Sequence, residues 1–269
     1  MVDVTSSDLP SDKSELLLAY QRDGFVTGHL SDDSVIDEAV FDLKRISAVG
    51  AFRTNSQIYS YNTSPRIVEA WRQSHAIHRL VYDDAVMRFL HLLYSSNPLA
   101  FSTINFLKST EQPLHSDYVH FGTQPHFRLA AAWIALEDIQ IASGPLQVVP
   151  GSHRSDFFCY SDLGFGPAKS LTDIKTMYTQ YEIHVAQQIG ANKSGLMPHV
   201  PLLKKGDFLI WDANLLHGSP ICIDPSLSRL SQVNHYHFSD VELFYNPAFS
   251  QPKRGKFVKR KVEFIPEPQ

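Results

Sequence analysis

His115, Asp117 and His217 are the residues of this chain whose types and spacing most directly suggest chemistry. Residues two apart on an extended strand point to the same side of a sheet, so the imidazole of His115 and the carboxylate of Asp117 would converge on one point. Convergent nitrogen and oxygen donors suit a divalent metal. A second histidine from a remote strand, His217 in the stretch Trp211-Asp212-Ala213-Asn214-Leu215-Leu216-His217-Gly218-Ser219, would complete a 2-His-1-carboxylate facial triad, the arrangement that leaves adjacent positions open on Fe(II). With 13 histidines in the chain, about one H-x-D triplet arises by chance, so the surroundings must decide.

The elements that would position these residues follow from the pattern of the chain. Helical signals come first. Leu16 to Tyr20 read as a short helix ended near Gly24, followed by a strand at Phe25-Val26-Thr27. A second helix is signalled by Ser31 as cap, by acidic Asp32, Asp33 and Asp37, and by Ile36, Val40, Leu43 and Ile46 at helical spacing. A third helical stretch is expected from Pro65 to about Ser95, with a break near Asp83-Asp84. From Ala100 onward the texture changes to short β-branched and aromatic runs: 101–107, 128–136, 146–149, 208–211 and 230–238. Ser143-Gly144-Pro145 and Val149-Pro150-Gly151-Ser152 are turn chemistry, and Lys204 to Asp207 resembles a hairpin. The expectation is a mainly β fold, a jelly roll flanked by N-terminal helices.

Residues 1–269 are read as one domain: a helical part over 1–99, a jelly-roll core over 100–250 and a basic tail over 251–269. Leu171, Ile174, Met177, Tyr178, Tyr181 and Val185 recur at three- and four-residue intervals, which predicts a helical insert over about 168–190. That insert would either cover the barrel mouth or pack on its outer wall. The six basic residues of the tail, Lys253 to Lys261, read as a solvated edge strand guarded by lysine.

Composition narrows the partner. A net charge of −4 gives no electrostatic reason to expect nucleic acid, so a small molecule is the expected ligand. Two cysteines are too few for a disulfide framework, and no apolar run approaches the roughly 18 residues of a membrane span. No signal peptide is evident at Met1 to Leu9, so a cytoplasmic protein is expected.

The chain resembles the phytanoyl-CoA dioxygenase family of Fe(II)- and 2-oxoglutarate-dependent oxygenases. The resemblance rests on Tyr20-Gln21-Arg22-Asp23-Gly24-Phe25-Val26, His115-Ser116-Asp117, Trp133 to Asp138, Gly144 to Arg154 with its P-G-S-H turn, Gly206-Asp207-Phe208, His217-Gly218-Ser219 and Arg229. It implies a double-stranded β-helix of cupin-like form, with Fe(II), 2-oxoglutarate and O2 as cofactor and cosubstrates. Arg229 resembles the arginine that binds oxoglutarate, a role for which a guanidinium fork suits a carboxylate. Ser219 resembles the residue that helps hold the same carboxylate. Trp133 matches a position bordering the cosubstrate, although tryptophan in an apolar strand is equally a core residue. Thr103 and Asn105, two apart on the preceding strand, are candidate hydrogen-bond donors to oxoglutarate or ordinary polar strand residues. His153 is read as fixing its turn.

The implied reaction is hydroxylation of a small-to-medium metabolite with release of succinate and CO2. Related halogenases lack the carboxylate ligand, so Asp117 points to hydroxylation or another oxidation; desaturation and ring closure use the same triad. The chain departs from many relatives in having Lys108-Ser109-Thr110-Glu111-Gln112-Pro113 where they have a glycine-containing loop. Two other classes fit the residues taken alone: a jelly-roll metalloenzyme that uses no oxoglutarate, and a ligand-binding barrel without catalysis.

Overall fold

In the computed structural model, which describes residues 3–4, 13–50, 66–191 and 195–268, helices precede the sheet as the texture of the sequence predicts. A two-residue strand, β1 (Asp3–Val4), is followed by α1 (Lys13–Asp23) and β2 (Phe25–His29). Gly24 makes the corner between them at φ +82°, and a Cβ there would sit 2.4 Å from His153 Nδ1, so the close approach of the P-G-S-H turn requires glycine.

Helix α2 (Ile36–Val49) buries Ile36, Ala39, Leu43 and Ile46. Its entry is capped one residue later than expected. The Asp32 carboxylate accepts from Ser34 N in a short 3-10 turn, whereas Ser31 N donates to Asp83. Asp83 also accepts from Ala85 N and Val86 N, so the break seen in the sequence is the N-cap of α4 (Asp84–Tyr94). The helix expected from Pro65 is not there. Pro65 lies outside the described residues, and Arg66–Val68 forms β3, hydrogen-bonded to the sheet, before a 3-10 turn and the short α3 (His75–Arg79).

Eight further strands follow: β4 (Pro98–Phe106), β5 (Gly122–Gln124), β6 (Leu129–Ala135), β7 (Gln147–Val148), β8 (Asp207–Asp212), β9 (His217–Gly218), β10 (Ser231–Phe238) and β11 (Leu243–Tyr245). The major sheet has the order β1-β2-β8-β6-β10-β4-β3, antiparallel except for β1 against β2. The pairs β7–β9 and β5–β11 lie apart from it. This is the mainly β, jelly-roll architecture that the sequence led us to expect.

Period-two alternation in β6 shows how the layers are separated. Ala130, Ala132 and Ile134 face the helices together with Phe208, Ile210, Phe89 and Leu90, whereas Ala131, Trp133 and Ala135 face inward with Leu209 and Trp211. Alanines on the helical side let α4 approach closely, and full burial of each large apolar side chain here stabilises by roughly 2 kcal/mol. The insert is α5 (Leu171–Gly190), capped by Ser170 with Asp173. It buries Met177, Tyr178, Tyr181 and Val185 in a satellite cluster beside Val119, Tyr160 and Ala248.

Two expectations need correction. Lys204 to Asp207 is a tight turn into β8 rather than a hairpin between two strands. The basic tail is not an edge strand: it touches the fold through isolated bridges (Tyr245 to Lys259, Gln251 to Lys256) and then runs back along the helical side, where Ile265 is buried and Ile265 N donates to Ala100 O. Among the described residues no helix is long and apolar enough to cross a membrane.

Candidate metal centre and its pocket

His115 and His217 are joined through their backbones before any side chain is considered. His115 N donates to His217 O and His217 N to His115 O, both at 2.9 Å, an antiparallel bridge across the mouth of the sheet. The pair can approach because residue 218 is glycine, where a Cβ would fall 2.6 Å from Gln112 O. The H-x-D triplet is not a strand as the spacing suggested. Ser116 is extended, and the chain then turns at Asp117 into a 3-10 turn, held by Tyr118 N to Ser116 Oγ and by Asp117 N to Ala213 O. The convergence of His115 and Asp117 is therefore produced by a bridge and a turn.

Donor atoms of His115, Asp117 and His217 all lie within 4.8 Å of one another, and all three residues are buried. Each histidine uses Nδ1 to donate to a carbonyl, Pro113 O for His115 and Leu215 O for His217, both at 2.9 Å. That fixes the tautomer that leaves Nε2 as the lone-pair atom, the usual arrangement of a ligating imidazole. Burial pushes both imidazoles below their ordinary range, with His217 lowering His115 further and His235 lowering His217, so both are neutral near pH 7. Burial opposes charge on Asp117, but the imidazoles of His217, His235 and His115 outweigh it and hold the carboxyl well below its usual range. Trp211 Nε1 donates to Asp117 Oδ2 at 2.9 Å, which leaves Oδ1, 3.7 Å from His217 Nε2, turned toward the centre. Two neutral imidazoles and one carboxylate on one side of a buried point suit Fe(II).

A cavity of about 490 Å³ opens from this centre. Arg229, Ser219 and Trp133 line it. Arg229 stands just before β10, its Cζ 5.4 Å from the Phe106 ring and 5.8 Å from the Trp133 ring, and it is 2 % exposed. Its Nε has no hydrogen-bond partner among the described residues. Burial, with Arg66 nearby, lowers its pKa to about 10, so it stays charged. A buried cation with an unpartnered donor is a receptor for an anion.

Thr103 and Asn105 do not reach this cavity. The alternation of β4 sends Ile104 and Phe106 into it and turns Thr103 and Asn105 toward the helices. There Asn105 Nδ2 donates to Gln232 Oε1 at 3.0 Å, while Gln232 and Asn234 donate to Ile77 O and Leu80 O at the end of α3. Gln232 and Asn234, with Asn105 bonded to Gln232, tie the helical layer to the sheet, and because neither Thr103 nor Asn105 lines the cavity the oxoglutarate role is withdrawn for both.

The structure also brings in residues that the sequence did not single out. Gln112 Nε2 donates to His115 Nε2 at 3.0 Å and to Tyr178 Oη at 2.8 Å, and its Oε1 accepts from Arg66. His235 lies with Nε2 3.8 Å from Asp117 Oδ2. Ile174 and Tyr178 place one face of α5 on the cavity, and Arg260 reaches it from the tail. Arg66 and Gln112 carry no motif. His153 anchors its turn, with Nε2 bonded to Gln21 O and its carbonyl accepting from Asn214.

Comparison with known proteins gives a consistent result. Residues 46–221 match the phytanoyl-CoA dioxygenase (PhyH) family. The ectoine dioxygenase of Sphingopyxis alaskensis is 28% identical over 77% of this chain and 70% of its own length. Among solved structures, EctD from S. alaskensis with 2-oxoglutarate and 5-hydroxyectoine superposes with a TM-score of 0.64 at 21% identity, covering 95% of this chain and 87% of that one. The epimerase SnoN in complex with Fe3+, alpha ketoglutarate and nogalamycin RO gives a TM-score of 0.66 at 16% identity, covering 94% and 98%.

Proposed function

The chain belongs to the phytanoyl-CoA dioxygenase family and is an Fe(II)- and 2-oxoglutarate-dependent dioxygenase, and from that premise we propose which residues do the work. His115, Asp117 and His217 hold the iron. Arg229 receives the far carboxylate of 2-oxoglutarate, with Ser219 beside it and Trp133 as wall. The substrate is a small-to-medium metabolite oxidised at a C–H bond, R–H + O2 + 2-oxoglutarate giving R–OH + succinate + CO2. Nucleic acid is not a partner, the chain acts as one oxygenase domain, and it works in the cytoplasm; the acidic net charge and the two unpaired cysteines support these readings.

Iron, oxoglutarate and O2 together supply the oxidising chemistry, and the protein supplies binding, orientation and exclusion of water. His115 and His217 present Nε2 without a proton to be removed, since Nδ1 carries it. Trp211 holds one oxygen of Asp117, so the carboxylate offers the other. Ile104, Phe106, Leu146 and Val233 give an apolar wall around Arg229, which strengthens its attraction for a carboxylate. Tyr178 and Ile174 of α5 line the same cavity.

The observation that carries the assignment is the buried Arg229, its Nε unpartnered, on the same cavity as the three clustered donors. Anaerobic titration of 2-oxoglutarate with and without Fe(II) tests it. Binding that needs the metal, and that Asp117→Ala and Arg229→Ala each weaken by about 100-fold, is expected from loss of a ligand or of a buried charge pair. Unchanged binding in either variant would overturn that residue's role.

A further inference from the structure

The turn that aims His115 and Asp117 is shaped by four consecutive backbone N–H groups, each of which has an acceptor. His115 N donates to His217 O at 2.9 Å and Asp117 N to Ala213 O at 2.8 Å, and both acceptors belong to the barrel. Tyr118 N donates to Ser116 Oγ, within the turn itself. The remaining group, Ser116 N, depends on the insert. It donates at 2.8 Å to Tyr181 Oη, a hydroxyl on α5 that lies 65 residues further along the chain. The bond is buried, so water does not replace that acceptor while the site is closed.

Tyr178 and Tyr181 stand one helical turn apart on the same face of α5, and both are 2 % exposed. Tyr178 Oη accepts from Gln112 Nε2 at 2.8 Å, three residues before His115, while Arg66 donates to Gln112 Oε1 and so fixes which end of the amide faces the helix. Two hydroxyls of one helix therefore grip the segment 112–116. Neither contact uses a proposed ligand atom, so both persist when a metal takes the place of the Gln112 N–H on the lone pair of His115 Nε2. The helix itself rests on a cluster separate from the main core, where Phe158 lies 4.7 Å, ring to ring, from Tyr181, and it leaves Leu171 and Ile183 exposed. An element packed on a small satellite cluster opens at lower free energy than the central sheet.

We propose that Tyr181 is a positioning residue of the metal centre, and that the seating of α5 through Tyr181 is coupled to metal binding. This goes beyond the ligand assignment made above and rests on it. With α5 seated, Ser116 N is paired and the turn directs the His115 imidazole and the Asp117 carboxylate to one point. With α5 lifted, that N–H loses its acceptor and the turn loosens, so the metal is held less tightly. The coupling is reciprocal: the factor that seating of α5 adds to metal affinity is the factor that the metal adds to the closed position of α5. A helix that lines the cavity thereby responds to whether the centre beneath it is loaded.

Tyr181→Phe keeps the ring beside Phe158 and removes the acceptor. On the full chain under anaerobic conditions, its Fe(II) affinity, measured by competition with a metal indicator, is expected to fall about tenfold, because a buried N–H is left unpaired. Hydrogen exchange supplies the reading that a purely structural role would not move. Fe(II) is expected to slow exchange of the α5 amides about tenfold in the wild type and less than about twofold in Tyr181→Phe. The wild-type comparison, with and without Fe(II), stands by itself whatever the variant does. Unchanged Fe(II) affinity in Tyr181→Phe, no metal-dependent slowing in the wild type, or equal slowing in the two proteins overturns the proposal. Asp117→Ala, measured alongside, separates the two readings: Fe(II) affinity left intact by that substitution would overturn the assignment of the metal centre itself, and the proposal would fall with it.

Discussion

The two oxygens of Asp117 have different tasks. Oδ2 is held by Trp211 Nε1 at 2.9 Å, and Oδ1 faces the histidines. Trp211→Phe keeps an aromatic ring beside His217 but removes that donor, so it is expected to weaken Fe(II) affinity by about 10- to 100-fold, as loss of a group that orients a ligand does. Competition with a metal indicator measures this, and unchanged affinity would mean that the indole only fills space. Arg229→Lys tests geometry at the other end. It keeps the charge and loses the fork, so oxoglutarate binding is expected to stay at least about tenfold weaker than in the wild type. Full recovery by lysine would reduce the role of Arg229 to its charge. Both residues were legible in the sequence to different degrees. Arg229 was picked out by its resemblance to the family's oxoglutarate arginine, twelve residues after His217, whereas its burial on the cavity was not visible there; Trp211 was visible only as part of the run before that histidine, since nothing in a sequence shows where an indole N–H points.

Between the elements, the end of β8 offers a pH-dependent contact. Asp212 Oδ1 accepts from Asn214 N at 2.7 Å, and Tyr94 Oη lies 3.4 Å from Oδ2 and 2.7 Å from Tyr20 Oη. Burial pushes the Asp212 carboxyl up to about 7, against the lowering effect of these hydrogen bonds. A raised folded-state pKa means that the folded protein holds the proton more tightly than the unfolded chain. The contribution to stability is therefore complete below about pH 4 and is lost as pH rises through 7. Asp212→Asn keeps the acceptor without the charge, so its advantage in Tm over the wild type is expected to widen between pH 4 and 7 and then level off. The gain is about 2 kcal/mol, less than three full pKa units would give because part of the residue reaches solvent. A gap independent of pH would show that Asp212 titrates normally. The same scale explains what the sequence concealed. Alternation in β4 announced two faces but not which one looked inward, and Asn105 turned out to bond Gln232, which with Asn234 supplies the donors that the terminal carbonyls of α3 need. Val68 and Ile67 fitted a helix as well as a strand over so short a run, and the partner that decided for β3 lies on β4, some forty residues on.

For the whole molecule, the helical layer, the sheet and α5 were readable from periodicity, because each keeps one repeat long enough to be distinctive. The tail was misread, since its basic run has no repeat and its course is set by a few contacts, such as Ile265 N to Ala100 O. Metal and cosubstrate act at this scale too. The ligands proposed for them lie between β4 and β6, on β9 and on the approach to β10, so binding on that assignment joins the halves of the barrel. At ligand concentrations of about 100 times Kd, Fe(II) with 2-oxoglutarate is expected to add about 2.7 kcal/mol, a rise in Tm of several degrees under anaerobic conditions. Arg229→Ala should retain only the part due to metal alone, and an identical rise in that variant would separate oxoglutarate from Arg229. The bridge between His115 and His217 has one more consequence, for the chain as it is being made. Its two partners are roughly a hundred residues apart, so the contact forms only after nearly all of the barrel has emerged from the ribosome. A nascent chain halted before His217 lacks a proposed ligand and the bridge partner of His115, whatever its helices have done. If His217 is an iron ligand as proposed, the three-residue site is complete only once synthesis has passed β9.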